Sequence, residues 1–399
     1  MFFIAFATLQ IINKRFWMHD FQVYYDATVN FFSGRPVYGE LLSLGSGYYK
    51  YSPFGLFLFF PFTLVDFGVA KVIYFAFLSA TIIITVMLSN RMVSEMFFKE
   101  SASKHYLIML FIITIAFIQH IYFELHLGNI NILLLLLSLL ALQLLVKDKE
   151  WAAGLLLASA ILIKPHFLIL IPLFLLRKRF AAVAFCLGGI AAGLIIPSLY
   201  TGFGGNIQML QQWKETMLIH NQNPVNGQDT IYSWVYRLLG ISMEKEGQLI
   251  LILSVLAVVA LLVFALFLYH QRKEASKDFS PGTENKNSVF EYLLLVALIP
   301  NLTVTDSEHF LFSVPLITWL INYIFIRKPG YLVTIIICII LLMYGGNLRE
   351  LIGTPASRWM TETGILGLGN ILLIGVSIYV MIFQPGKELK ETPLNISND

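Results

Sequence analysis

Few side chains in this sequence could do chemistry, and the most telling is Asp20. It lies in Met18-His19-Asp20-Phe21-Gln22-Val23-Tyr24-Tyr25-Asp26, just beyond a first apolar run. A carboxylate set among Trp17, Phe21, Tyr24 and Tyr25 is partly stripped of water, and desolvation makes it a stronger base. Such a base takes the proton of an attacking hydroxyl, which is otherwise a poor nucleophile. Asp20 is therefore the expected catalytic base, and the competing reading is a solvated interfacial carboxylate that caps the next helix. Asp26, six residues on, falls off the same helical face and is expected, with Tyr24, to contact substrate.

Lys164 is the second such residue. It interrupts an apolar stretch, and a lysine at bilayer depth costs roughly 2.5–3.5 kcal/mol on insertion scales. Pro165 breaks the helix and lets the ammonium turn towards a cavity, where a phosphate is the obvious counter-ion; the alternative is a lysine snorkelling from a loop tip. Asp306, Glu308 and His309 form a third group, with His309 expected on a phosphate or sugar oxygen and Glu308 on substrate. The cluster is too short for a metal site. Polar side chains also gather at Glu124, His126, Asn129 and Asn131, and at Asn221, Gln222 and Arg237. Amides suit sugar hydroxyls and arginine suits a phosphate fork. No phosphate-binding glycine loop, zinc spacing or nucleic-acid signature occurs. The sequon at Asn301-Leu302-Thr303 sits at a helix end and is discounted.

These residues have to be held by lipid-soluble elements. Of 399 residues 57% are hydrophobic and 13% charged, with 33 Phe, and the mean hydropathy is +0.75. That excludes a water-soluble globule and points to an all-α polytopic membrane protein. Apolar runs against polar breaks give about 12 transmembrane segments: roughly 1–12, 67–90, 106–123, 130–146, 151–163, 166–176, 180–200, 248–270, 289–303, 310–326, 331–344 and 364–383. The first is short for a span, so either it continues through Phe16-Trp17 or the start lies upstream, and the second is favoured. It lacks the features of a cleavable signal. Residues 151–163 and 166–176 form a hairpin split at Lys164-Pro165-His166. The run from Tyr51 to Val65 is expected to lie in the outer interface.

Basic clusters such as Arg177-Lys178-Arg179 and Arg272-Lys273 set the orientation, with both termini cytoplasmic. Three long outward-facing loops then span 13–52, 201–247 and 345–363. The chain reads as one domain over 1–399, with a cytoplasmic linker at 271–288 and a tail at 384–399. Cys186 and Cys338 sit in apolar runs and form no disulfide framework.

The motifs Asp20-Phe21-x-Val23-Tyr24, Gly34-Arg35-Pro36-Val37-Tyr38 and Tyr49-Lys50-Tyr51-Ser52-Pro53-Phe54 resemble the opening of glycosyltransferase family 87. The resemblance continues through Gly128-Asn129-Ile130-Asn131, Ala153-Gly154 to Ile163-Lys164-Pro165, Asn221-Gln222, Arg237 and the His309 region, roughly residues 19–325. It implies a GT-C type membrane enzyme that carries out inverting transfer on the outer face. The implied donor is a sugar on polyprenyl phosphate, with mannose the family-level sugar, and no cofactor or metal is expected. The acceptor would be a glycolipid or glycan. The family's catalytic aspartate maps onto Asp20, its lysine onto Lys164 and its histidine onto His309, with Arg237 as a further phosphate ligand. Asn129 stands where glutamine is usual, Asn223-Pro224 where Ser-Leu is usual, and Asp306-Ser307-Glu308 where Ser-Trp is usual. The rival readings are a lipid or solute transporter or flippase, which also uses broken helices and buried lysines, and a polysaccharide polymerase or ligase.

Overall fold

The computed structural model describes residues 2–45, 47–98, 106–220, 229, 283–302 and 306–383. Among these every regular element is helical, apart from one isolated bridge between Leu42 and Gly47. Long apolar runs in a membrane chain favour helices, which satisfy every backbone group within their own segment.

In chain order the helices are α1 (Phe2–Ile12), α2 (His19–Phe32), α3 (Phe54–Phe59), α4 (Phe67–Val93), α5 (Tyr106–Ala116), α6 (Ile118–Leu127), α7 (Asn131–Val146) and α8 (Glu150–Ile163). They continue with α9 (Leu170–Leu176), α10 (Phe180–Ile195), α11 (Ser198–His220), α12 (Thr283–Leu298), α13 (Val314–Arg327), α14 (Tyr331–Gly345), α15 (Arg349–Glu362) and α16 (Ile365–Phe383). Three are long and apolar enough to cross a membrane: Phe67–Phe98, Ser307–Arg327 and Ile365–Phe383. Two bent pairs raise the number to five: α5 with α6, bent by 61°, and α10 with α11, bent by 89°. Pro197 lies at the second bend, where it removes a helical donor.

Most other expected segments are present as shorter apolar helices of 10–17 residues. About twelve complete spans is thus more than the described helices supply by length, and the segment 248–270 lies outside the described residues. Helices such as Asn131–Val146 and Glu150–Ile163 are shorter than the roughly 20 residues a span needs. The expected linker 271–288 and tail 384–399 also fall outside the described residues, except that the chain is already helical from Thr283. The first helix stops at Ile12 and does not continue through Phe16-Trp17, since Lys14 takes a φ of 55°.

The loops expected at 13–52, 201–247 and 345–363 carry helices of their own. In α2 the buried residues Phe21, Tyr24, Thr28 and Phe31 recur at helical spacing. That face is wide enough to fix a helix within an otherwise polar stretch. Phe21 stacks on Tyr74 of α4 with ring centroids 4.0 Å apart, and Tyr24 stacks on Phe59 of α3. The last of these loops is largely α15, kinked at Gly353.

The tightest packing joins α8 to α10. A Cβ on Gly154 would strike the Ala182 carbonyl, and one on Gly193 would strike Leu162. Small residues let the two backbones approach closely, which is how helices associate where lipid removes the hydrophobic drive. This hairpin carries Lys164 at its tip.

The ends of the bundle differ in chemistry. Asn131 begins α7 and Lys147 caps its far end, about 24 Å away at helical rise. Asn129, Lys164 and Glu308 gather at the first end. Arg91, Lys147, Lys149, Arg177 and Arg327 lie near the opposite helix termini.

Candidate active site

Construction of the site starts at the turn between α6 and α7. Gly128 takes φ 70°, the left-handed conformation that ends a helix most easily without a Cβ. The backbone N–H groups of Gly128 and Asn129 both donate to the Glu124 carbonyl, at 3.0 Å each. The Glu124 carboxylate then accepts the Ile132 N–H at 2.8 Å and the Asn131 Nδ2 at 3.1 Å. A carboxylate at the first turn of α7 satisfies donors that the helix leaves open. The turn therefore delivers Glu124, Asn129 and Asn131 to one place, all of them buried.

Lys164 arrives from the α8–α9 hairpin. Its own conformation is extended, φ −127° and ψ 105°, as the residue before a proline prefers. Its Nζ donates to Asn131 Oδ1 at 2.6 Å and to His309 Nε2 at 2.7 Å. An ammonium has only donors, so Nε2 accepts, and the His309 Nδ1–H points at the Asp306 carbonyl, 3.3 Å away. His309 is thus a neutral imidazole that steadies the lysine. Lys164 forms no ion pair with a carboxylate within 4.0 Å among the described residues.

Asp20 occupies the first turn of α2, where Met18 at the cap position contributes no side-chain bond. Its Oδ2 accepts Asn129 Nδ2 at 3.0 Å, and the same Nδ2 donates to Glu308 Oε1 at 3.2 Å. The helix-cap reading of Asp20 is therefore replaced by an inward-facing one. Burial pushes its carboxyl up to about 6; Lys50 and Lys164 pull against that and Asp306 adds to it. Tyr24 lies beneath, its hydroxyl 2.8 Å from that of Tyr51 and 3.5 Å from Asn129 Oδ1.

Six expected site residues, Asp20, Asn129, Asn131, Lys164, Glu308 and His309, converge in one hydrogen-bonded cluster, against which Tyr24 packs. Asp26 does not join it, because its carboxylate accepts the Ser43 backbone N–H at 3.2 Å and so fastens a turn of the 33–52 segment. Asn221, Gln222 and Arg237 lie outside the described residues.

Three participants escaped the sequence reading. Lys50 is half-buried within electrostatic reach of Asp20, Asp306 and Glu308, and burial lowers its ammonium below the usual lysine range. The only signal for it was a cation in a Tyr-Lys-Tyr run, where Tyr49 and Tyr51 are buried and Lys50 is turned the other way. Asp229 accepts a short hydrogen bond from the Ser307 hydroxyl. His120 sits between the carbonyls of Ser307, at 2.7 Å, and Tyr344, at 3.1 Å. Neither had a local sequence pattern that separated it from other polar residues. Among the described residues no three metal-ligating side chains cluster.

The family model of glycosyltransferase family 87 matches residues 49–280, more than half of the chain. The match takes in Lys50, Asn129, Asn131 and Lys164 and stops short of Asp20 and His309, so it is narrower than the stretch of motif resemblance. An alpha-(1->3)-arabinofuranosyltransferase of Corynebacterium glutamicum is 28% identical over 183 residues, 45% of this chain and 40% of the relative. The aligned stretch is thus well under two thirds of that protein's length. No solved structure matches.

Proposed function

The chain belongs to glycosyltransferase family 87, and from that premise we propose that it transfers a sugar from a polyprenyl-phosphate donor to a glycolipid or glycan hydroxyl. The observation that carries this reading is the meeting of a buried carboxyl, Asp20, with the Lys164 ammonium, which pairs with no carboxylate among the described residues, from segments 144 positions apart in the chain.

The reaction is a single displacement at the anomeric carbon, with inversion. Asp20 removes the acceptor's proton as its oxygen forms the new glycosidic bond, while the bond from the anomeric carbon to the phosphate oxygen breaks. The donor phosphodiester carries one negative charge and leaves as a monoester with two. One unit of charge therefore moves from the Asp20 carboxylate to the phosphate, where Lys164 meets it. Preorganised groups aimed at developing charge are the largest source of rate in such sites. A phosphate leaves readily without a general acid, so the step asks only for a base at the acceptor hydroxyl. His309 acts by holding Lys164 until the phosphate claims it, and Glu308 lies where sugar hydroxyls would be read.

The apolar helices make this a multi-pass membrane protein, and the basic residues at the far helix ends support a reaction on the extracytoplasmic face. The sugar is a hexose, mannose first, on the family resemblance. A pentofuranose is the second reading, favoured by the arabinofuranosyl specificity in the relative's name. The test uses purified protein in detergent with radiolabelled polyprenyl-phosphate mannose or polyprenyl-phosphate arabinofuranose and a crude glycolipid acceptor. Label should move with one donor and stop in Asp20→Asn. Undiminished transfer by that variant removes the proposed base, and transfer only from a lipid diphosphate removes the donor class.

A further inference from the structure

The sequence reading made Asn129 and Asn131 substrate ligands. We propose instead that the Gly128-Asn129-Ile130-Asn131 turn is the gauge that sets the spacing between base and phosphate anchor, with Asn129 and Asn131 as positioning residues. The inference rests on the displacement mechanism above and deepens it.

Asn129 has two N–H donors and one carbonyl oxygen, and the cluster occupies all of them. Its Oδ1 accepts the backbone N–H of Ile130 at 2.8 Å and faces the Tyr24 hydroxyl at 3.5 Å. That fixes which side of the amide is oxygen, since a flipped amide would turn N–H against N–H and oxygen against two carboxylates. The Nδ2 group is left to Asp20 at 3.0 Å and Glu308 at 3.2 Å. Asn131 is oriented in the same way. Lys164 offers only hydrogens, so Oδ1 must face it at 2.6 Å, and Nδ2 donates to Glu124 at 3.1 Å. Asn129 cannot hold a sugar hydroxyl without giving up a bond inside the protein, and the Asn131 oxygen cannot turn to one without giving up Lys164.

The two carboxamides stand two residues apart where α7 begins, one serving the base and the other the anchor. Gly128 seats the helix of the base on the same turn. A Cβ there would lie 2.8 Å from Phe21 Cβ and 3.0 Å from Met18 Cε, the residues on either side of the His19–Asp20 pair. The backbone of the turn therefore transmits its rigidity to both halves of the reaction; at metal sites, partners that orient a ligand in the same way change activity by roughly 10- to 100-fold.

The experiment measures kcat, donor KM and the pH profile of kcat/KM for Asn129→Ala, Asn129→Asp, Asn129→Gln and Asn131→Asp. Removal of a donor from the charged form of a carboxylate raises its pKa. Asn129→Ala should therefore lower kcat on the order of 10-fold, move the acid limb to higher pH and leave donor KM unchanged. Asn129→Asp should be worse than Ala, and Asn129→Gln, which keeps the carboxamide, should lie nearest the parent. Asn131→Asp hands Lys164 a carboxylate in place of an amide. It should raise donor KM by on the order of 10-fold without moving the limb. KM and limb position do not depend on how much protein is active, so loss of folded material cannot imitate either result. Asn129→Ala with a raised substrate KM and an unmoved limb would make that amide a sugar ligand and overturn the proposal. Parent-like values in all four variants would overturn it too. An active Asp20→Asn enzyme would instead break the underlying mechanism.

Discussion

At the residue scale the site turns on how strongly burial penalises Asp20. Its carboxyl is raised from 3.8 to about 6 by loss of water. As the proposed base it works only when ionised, so kcat/KM should fall as pH drops through about 6 and level off above it, which a pH–rate profile checks directly. The same shift governs stability with a definite sign. Between 3.8 and about 6 the fold holds a proton that the unfolded chain has already released, so stability falls as pH rises through that window and stays at its lower level above it. Asp20→Asn carries no charge at any pH. It should lose activity by about 10²–10⁴-fold while gaining on the order of 1–3 kcal/mol at pH 7, seen as a higher Tm in detergent. A variant both dead and less stable would mean that the carboxylate is stabilising, contrary to its desolvation. Asp20, Lys164, Glu308 and His309 were legible in the sequence because ionisable groups are rare in so apolar a chain. Lys50 was not, since its inward turn is decided by the burial of Tyr49 and Tyr51 on either side.

At the element scale two backbone devices deliver the chemistry. Pro165 forbids the helical conformation to Lys164 and so ends α8 at the depth of the cluster. This was readable from the Lys-Pro dipeptide alone. Gly128 combines φ 70° with a contact too close for any side chain, and only the second part needed coordinates, because Phe21 and Met18 are about 100 residues distant in sequence. Gly128→Ala adds left-handed strain of roughly 1–2 kcal/mol to displacement of the α2 N-terminus. The expected outcome is a lower Tm and a fall in kcat on the order of 10²-fold, as for a misplaced catalytic group. An unchanged kcat with a lowered Tm would show that α2 is free to shift without moving Asp20. The helices inside the polar loops were harder to foresee. In α2 the apolar face was present at helical spacing, yet it was interleaved with Asp20, Gln22, Asp26 and Asn30, which read as exposed chain until α3 and α4 supply the surface that covers it.

At the scale of the whole molecule, chemistry and charge are sorted to opposite ends of the bundle. The far end is tied by Arg177, which forks onto Glu291 with contacts of 2.6–3.0 Å while both side chains are largely buried. Removing one partner of such a buried pair destabilises by roughly 3–5 kcal/mol. Glu291→Gln should thus lower Tm well beyond any exposed charge change, while donor KM stays at the parental value, because α12 is braced there far from the cluster. The number of spans was the least legible property, since hydropathy counts apolar runs and is blind to whether two runs join as one bent element. Basic residues collect at the termini opposite Asp20, and that sorting yields a test of the proposed orientation. In a Cys338→Ser background, single cysteines at Glu40 and Lys149 sample the two ends, both positions being exposed. An impermeant maleimide applied to intact cells should label Glu40→Cys, whereas Lys149→Cys should react only after permeabilisation. The reverse pattern would turn the cluster towards the cytoplasm, where nucleotide sugars are at hand and a lipid-linked donor loses its rationale.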